Sequence, residues 1–518
     1  MPLFDLITRA AERFAGKTAY IFPDESINFG TLYLQSRQVG ARLQALGIGS
    51  GARVAILHEN ALAPLICFWG ILASGAQVVD VPCMAGLETV DKILAECKPA
   101  AIVLSGNQHQ RLLRAGPEWL PRFVLMNGVP PTTVDARSYH CLSKIVAEES
   151  LEAALPEIHD SSVALIVYTS GATGQPKGVM LSHHNLLSNI AAANSCVGLT
   201  SDDSILVVVP LHCIHGRMQL LTHAMIGGTM AFSAGFHVSQ AVVQELAKYK
   251  VTGFSGTPYH YYTLLERDDI TSTGLPNLRY VLVTGEAMHP EALTNLSRAL
   301  PGVEIHVAYG QTEASPRITW MGPLEVLSNP ESCGRPLPGI QVQVLAEDGS
   351  ELPPGSVGEV VASGPNIMCG YVSGDEFSSQ KIDSFGRLHT GDMGSFDHHG
   401  YLILSGRKSD LIKSTGERVF PGEVESVLDM HPAVSESAVL GIPDTVLGEK
   451  IAACVVLKPG AAIKANALRA HCLKLLPAVR APHEIRFTQS LPRTESGKID
   501  RRGVVAQFNK LRRLNATS

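Results

Sequence analysis

Tyr168-Thr-Ser-Gly-Ala-Thr-Gly-Gln-Pro-Lys-Gly178 follows an apolar run at 163–167 and leads into LSHHNLLSNI, which has helical spacing. Glycines and small hydroxyl residues between a strand and a helix suit a loop that cradles phosphate. Gly171 and Gly174 let backbone N–H groups approach oxyanions; Thr169, Ser170 and Thr173 add donors, and Lys177 adds positive charge. The loop is not of the Walker A type, which has Gly before its lysine and Ser or Thr after it, whereas Pro176 and Gly178 flank Lys177.

Outward from this loop, short β-rich runs alternate with helical ones. Residues 31–46, 61–76 and 92–97 read as helices, and 53–57, 77–81 and 100–104 as strands. Further strands are predicted at 204–209, 229–232, 253–255, 280–283 and 304–308. Such alternation implies βαβ units and parallel sheets. From Gly339 the texture changes to short β runs, as in QVQVLAEDGSELPPGSVGEVVAS, and then near GRKSD to a small α+β segment. The expected fold is α/β: a large N-terminal domain, 1–406, of parallel-sheet subdomains plus a β subdomain. A small α+β C-terminal domain, 407–518, follows across a short charged junction fit to be a hinge.

Composition agrees. The 518 residues exceed what one core organises, and 45% hydrophobic with 17% charged residues excludes a disordered chain. A net charge of −6 offers no footprint for nucleic acid. The ten cysteines show no metal-ligand spacing, so free buried thiols in a reducing compartment are expected. The N-terminus reads as an amphipathic helix, unlike a signal peptide, and the apolar stretch 62–81 is interrupted by Pro64, Gly70, Gly75 and Asp80. No membrane span is expected, and the cytoplasm is the expected location.

Four further motifs occur in order: Tyr309-Gly-Gln-Thr-Glu313, Leu388-His-Thr-Gly-Asp392, Gly406-Arg407 with Gly416, Pro421, Glu423 and Glu425 downstream, and Pro492-Arg-Thr-Glu-Ser-Gly-Lys498. With the loop at 168–178, the chain resembles the adenylate-forming superfamily of acyl-CoA synthetases, peptide-synthetase adenylation domains and firefly luciferase. The resemblance implies ATP-dependent conversion of a small carboxylic acid to an acyl-adenylate, then transfer to a thiol. It implies Lys498 as the lysine bridging carboxylate and phosphate, Glu313 as the Mg²⁺ carboxylate and Thr312 as a phosphate or magnesium-shell hydroxyl. Asp392 and Arg407 would contact ribose, and Gly285, Glu286, Ala287, Tyr309 and Gly310 would enclose adenine. Lys413 and Gly416 would serve thioester formation after the small domain rotates about Ser409 and Asp410.

Two departures matter. The histidine usual in the PxxHxxG stretch of CoA ligases is replaced by Cys213, with His212 and His215 beside it. His215 also falls where amino-acid-activating relatives carry an aspartate, so an acid without an α-amine is expected, because a buried ammonium would lack its counter-charge. The acyl pocket is expected from His215, Arg217, Phe254, Gly256, Thr257, Tyr259 and Ser315. The acceptor is open between CoA, the leading reading, and the phosphopantetheine of an acyl or peptidyl carrier protein, which the GEAM loop and the missing histidine favour.

Overall fold

The computed structural model describes residues 1–115, 121–127, 138–147, 154–169, 176–233, 235–236, 238–266, 270, 274–374, 378–415, 417–494 and 498–514. Within these, two large sheets dominate. In the first, Glu304–Gly310, Tyr280–Thr284, Gly253–Gly256, Ser204–Val207, Thr229–Phe232 and Thr18–Ile21 lie side by side and parallel. Antiparallel strands flank them: Arg317–Met321 and Arg335–Pro336 at one edge, Ser26–Asn28 at the other. The second sheet runs Gly370–Tyr371, Lys177–Ser182, Val163–Thr169, Gln77–Asp80, Arg53–Leu57, Ala101–Ser105, Phe123–Asn127, Ser138–Cys141, parallel from Val163–Thr169 onward. Its central strands are continuous apolar runs because helices cover both faces.

One core joins both sheets, with Leu32, Trp69, Val78, Leu165, Leu220 and Val281 all in it. Trp69 Nε1 donates to Tyr20 Oη at 2.8 Å, so neither buried polar group lacks a partner. The helix Leu62–Ala73 is buried from Pro64 to Ala73, which accounts for its all-round apolar character. Among the described residues no helix is long and apolar enough to cross a membrane. All ten cysteines are free, and Cys67, Cys83, Cys97, Cys454 and Cys472 are buried.

A third, antiparallel sheet comprises Gln341–Leu345, Gly358–Ser363, Leu388–Phe396 and Leu402–Arg407. A single 3₁₀ turn, Lys408–Asp410, then leads to a separate sheet. There Val434–Asp444 and Gly448–Leu457 form a long antiparallel pair, with Ile412–Ser414, Glu417–Val419 and Glu484–Thr488 beside it. The helices Pro421–Asp429, Ala465–Leu475 and Arg501–Leu514 complete this unit, whose cores contain only residues from Ile412 onward. Strand positions agree with the sequence reading within a few residues: 204–209 is Ser204–Val207, 280–283 is Tyr280–Thr284, and 304–308 extends to Gly310.

Arg217, expected in the acyl pocket, has another partner. Its guanidinium makes a bidentate pair with Asp80 (Nε to Oδ2 2.7 Å, Nη2 to Oδ1 2.5 Å) and lies 4.2 Å above the Phe68 ring. Both charges are almost fully buried, so the pair joins the helix Ile214–Ile226 to the end of the strand Gln77–Asp80. Removing one partner of such a pair leaves an uncompensated charge. Asp80→Ala should therefore lower unfolding free energy by about 3–5 kcal/mol in urea denaturation, whereas Asp80→Leu with Arg217→Met should recover most of that loss.

Candidate active site

In open parallel sheets, ligands bind beyond the carboxyl ends of the strands. Here the strands Gly253–Gly256, Tyr280–Thr284 and Glu304–Gly310 end side by side and hand over to Thr257, Gly285 and Gln311. Gly285 has φ +99°, and a Cβ there would lie 3.2 Å from Lys498 Cε and 3.3 Å from Thr257 Cγ2. Lys498, carried by the C-terminal unit, therefore reaches into the crevice of the large domain. Ile499 N–H donates to Glu286 Oε1 at 3.3 Å, and Arg493 lies 4.6 Å above the Tyr259 ring, fastening the same segment. Burial depresses the Lys498 pKa while Glu286 opposes the shift; burial raises that of Glu286 while Lys498 opposes it.

The second wall comes from the third sheet. Tyr309 Oη donates to Asp392 Oδ2 at 2.7 Å, and Arg407 Nε lies 3.5 Å from Asp392 Oδ1. Burial raises the Asp392 pKa, with Tyr309 and Arg407 countering. Gly310 follows Tyr309 because a Cβ would overlap the Pro316 carbonyl at 1.7 Å. Lys381, unremarked in the sequence reading, donates to the carbonyls of His389 (3.1 Å) and Thr390 (3.0 Å) and so supports the turn into Asp392.

Glu313 sits in the 3₁₀ turn Thr312–Ala314, and Tyr371 Oη donates to its Oε1 at 2.8 Å. Lys177 Nζ lies 5.4 Å from the Tyr371 ring centroid, which brings the end of the expected phosphate loop to the same corner. Thr169 ends its strand beside Lys177 in register. Ser170, Gly171, Thr173 and Gly174 lie outside the described residues, as does Gly416. Among the described residues no three His, Cys, Asp or Glu side chains cluster to hold a metal. Glu313 fits a hard cation that takes its other ligands from nucleotide oxygens and water.

His215 Nε2 and Ser255 Oγ are 2.8 Å apart. Burial, reinforced by the charges of Arg317 and Lys498, pushes the imidazole pKa down to about 3, so the ring is neutral at working pH. Phe254, also expected in the pocket, is fully buried and packs edge-to-face on Tyr261, because successive strand residues face opposite sides and Ser255 takes the His215 side. Gly256 backs onto His260, whose Nδ1 lies 2.9 Å from Thr257 Oγ1. Ser315 is buried at φ +63°, turning the chain between Glu313 and Arg317.

Beyond Ser255 lies a small cavity of about 30 Å³, with Gln219, Thr222, His223, Tyr280 and Arg317 among its lining residues. None of these was singled out from sequence, although Gln219 and His223 recur four and eight positions after His215, on one helix face. Arg217, two positions on from His215, points away to Asp80. Lys413 is exposed on the strand Ile412–Ser414 and is not brought to the crevice.

Lys498, Glu286, Tyr309, Asp392, Arg407, Glu313 and Lys177 are thus gathered about one crevice. The AMP-binding enzyme family model matches residues 7–372, and that of the AMP-binding enzyme C-terminal domain matches 423–498. The chain belongs to the AMP-binding enzyme family. It is 30% identical to an oxalate–CoA ligase of Arabidopsis thaliana, over 98% of each chain. An anthranilate CoA ligase solved with anthranoyl-AMP superposes with a TM-score of 0.90 at 26% identity, covering 99% of this chain and 98% of that one. An o-succinylbenzoate CoA synthetase of Bacillus subtilis, solved with ATP and magnesium, gives 0.82 at 25% identity over 97% and 99%. The acids of these members of the family differ from one another in size and charge.

Gly285 offers a direct test. A valine there would meet both an unfavourable φ and the Lys498 side chain. Gly285→Val should reduce acid-dependent pyrophosphate exchange at least about tenfold, since ~1.4 kcal/mol of misplacement suffices. The thermal unfolding midpoint, measured alongside, should fall by no more than a few degrees, because the strain of one valine at positive φ is about 1–3 kcal/mol.

Proposed function

We infer that this chain activates a small carboxylic acid with ATP and passes the acyl group to CoA, acting as an AMP-forming acid–thiol ligase. The observation that carries this reading is Lys498, delivered from the C-terminal unit to a crevice that already holds Thr257, Gly285, Glu286 and Asp392. In the first step a carboxylate oxygen attacks the α-phosphorus and the bond to pyrophosphate breaks. Negative charge then spreads over carboxylate, phosphate and leaving group, and fixed cations are the main means of stabilising it. Lys498 takes the oxygens shared by acid and α-phosphate, and Lys177 those of the leaving group. Glu313, held by Tyr371, would be the protein ligand for Mg²⁺, which would screen the phosphate charges, with Thr312 next to it in the 3₁₀ turn. Asp392, Tyr309 and Arg407 hold the ribose, and Gly285 to Ala287 and Gly310 enclose the base.

In the second step the CoA sulfur attacks the adenylate carbonyl, AMP leaves and the thiol proton is lost. Lys498 has no part there, and its side chain occupies the crevice beside Gly285. The segment 407–518 therefore rotates about Ser409 and Asp410, bringing Lys413 and Gly416 to the thioester centre. The exposure of Lys413 while Lys498 is inserted supports this account.

A carrier-protein thiol is the second reading of the acceptor, favoured by Cys213 at the position where CoA ligases keep a histidine. Turnover with saturating CoA should exceed that with a pantetheinylated carrier, and the reverse would promote the second reading. Free thiols suit a cytoplasmic setting for either.

Lys498→Ala should lower adenylate formation by about 10²–10³-fold, the usual cost of losing one transition-state donor. Thioester formation from supplied acyl-adenylate should be largely spared. Lys413→Ala should show the converse. Equal losses in both half-reactions for both variants would contradict the rotation.

A further inference from the structure

Two buried arginines lie near the crevice, and among the described residues only one has a counter-ion. Arg217 is paired with Asp80. Arg317, 8% exposed, has no carboxylate within 4 Å among the described residues, and its Nη1 is buried without a hydrogen-bond partner. Burial pushes its pKa down to about 10, and it stays protonated. A buried cation left without an anion is costly, and folds usually avoid it.

The backbone that presents this guanidinium is firmly held. The Arg317 carbonyl accepts from Asn189 Nδ2 at 2.7 Å and from Asn366 Nδ2 at 3.3 Å, and the residue pairs with Gly310 across the sheet. Around the cavity stand further buried polar atoms with no protein partner: both amide atoms of Gln219, the Tyr280 hydroxyl and His223 Nε2. Gln219 and His223 are each 2% exposed, and no Asp or Glu lines the cavity. His223 Nδ1 lies 2.9 Å from the Gln219 carbonyl and so carries the proton, and burial lowers its pKa to about 4. Apolar side chains, Val197, Leu199, Ile205, Leu282 and Trp320 among them, complete the wall, so one fixed positive charge and a few unpartnered polar atoms sit in an apolar surround that would strengthen an ion pair and reject an ammonium.

The cavity adjoins His215 through Ser255. Ser255 lines it and bonds His215, and that imidazole feels the charges of both Arg317 and Lys498. An acid lying across His215 would place its reacting carboxylate toward Lys498 and its other end toward Arg317.

We propose that the acyl cavity selects a short acid bearing a second oxyanionic group at its far end, a carboxylate or sulfonate, which pairs with Arg317 and is oriented by Gln219 and Tyr280. This rests on the reading of the chain as an acid-activating ligase. One end of the acid is adenylated while the other remains ionised as the counter-ion the fold lacks.

The test is acid-dependent pyrophosphate exchange with wild-type enzyme across matched series: short dicarboxylates, sulfonated acids, their neutral alkyl or amide isosteres, and ω-amino acids of equal length. The dianionic acids should exceed the isosteres at least about a hundredfold in kcat/KM, since a buried polar group left unpaired rejects the analogue lacking its partner. Carboxylate against sulfonate arms identify which oxyanion is taken. Arg317→Met should abolish this preference by lowering kcat/KM for the dianion while sparing or raising that for the isostere. If Arg317→Met does not fold, the wild-type comparison decides alone. Equal or better activation of neutral isosteres overturns the proposal and leaves the ligase reading intact. Exchange with no acid in any series also overturns the proposal, and the ligase reading itself falls only if aromatic and longer-chain acids support no exchange either.

Discussion

The site depends on one ammonium group being carried from one folding unit into the crevice of another. Lys498 lies against Gly285 and Thr257, where burial disfavours its charge, and Glu286 opposes that penalty while its carboxylate also receives the Ile499 N–H. Several neighbouring features follow from this insertion. A side chain at Gly285 would crowd the lysine stem, whose Cε lies 3.2 Å from where a Cβ would be. Tyr259 lies beneath Arg493, in the segment that leads to Lys498. The two units are joined through one short turn, Lys408–Asp410, and their hydrophobic cores are separate, so the insertion can be reversed without disrupting either core.

The two arginines near the crevice show how one residue type serves opposite ends. Arg217 and Asp80 neutralise each other inside the core and fix the helix Ile214–Ile226 against the second sheet. That pairing positions the face of the same helix that bears His215, Gln219 and His223. Arg317 holds its charge on the opposite wall, its carbonyl held by two asparagine amides and its guanidinium left for something other than protein. A closed ion pair gives the pocket its frame, and an open cation gives it a preference.

The alternation of strands and helices was legible because buried parallel strands are unbroken apolar runs, as in 163–167 and 280–283, and glycines punctuate their ends. Lys498, Glu313 and Asp392 were legible because each stands in a short motif with fixed neighbours. The acyl cavity was not. Its lining comes from six elements, and a helix sequence does not say which face meets the cavity. Arg217 was assigned there while its partner Asp80 lies 137 residues away. Phe254 was chosen over Ser255 for want of the strand's facing, and Tyr371 and Lys381 act through neighbours distant in sequence.

Differential acylation of lysines, read by mass spectrometry, tests the exchange of faces most directly. With ATP and a substrate acid bound, Lys498 should be protected from a small acylating reagent while Lys413 reacts as a surface lysine. With a non-hydrolysable acyl-adenylate mimic and CoA, the order should reverse. The same order in both states, or ready labelling of Lys498 with ATP and acid present, would contradict the account.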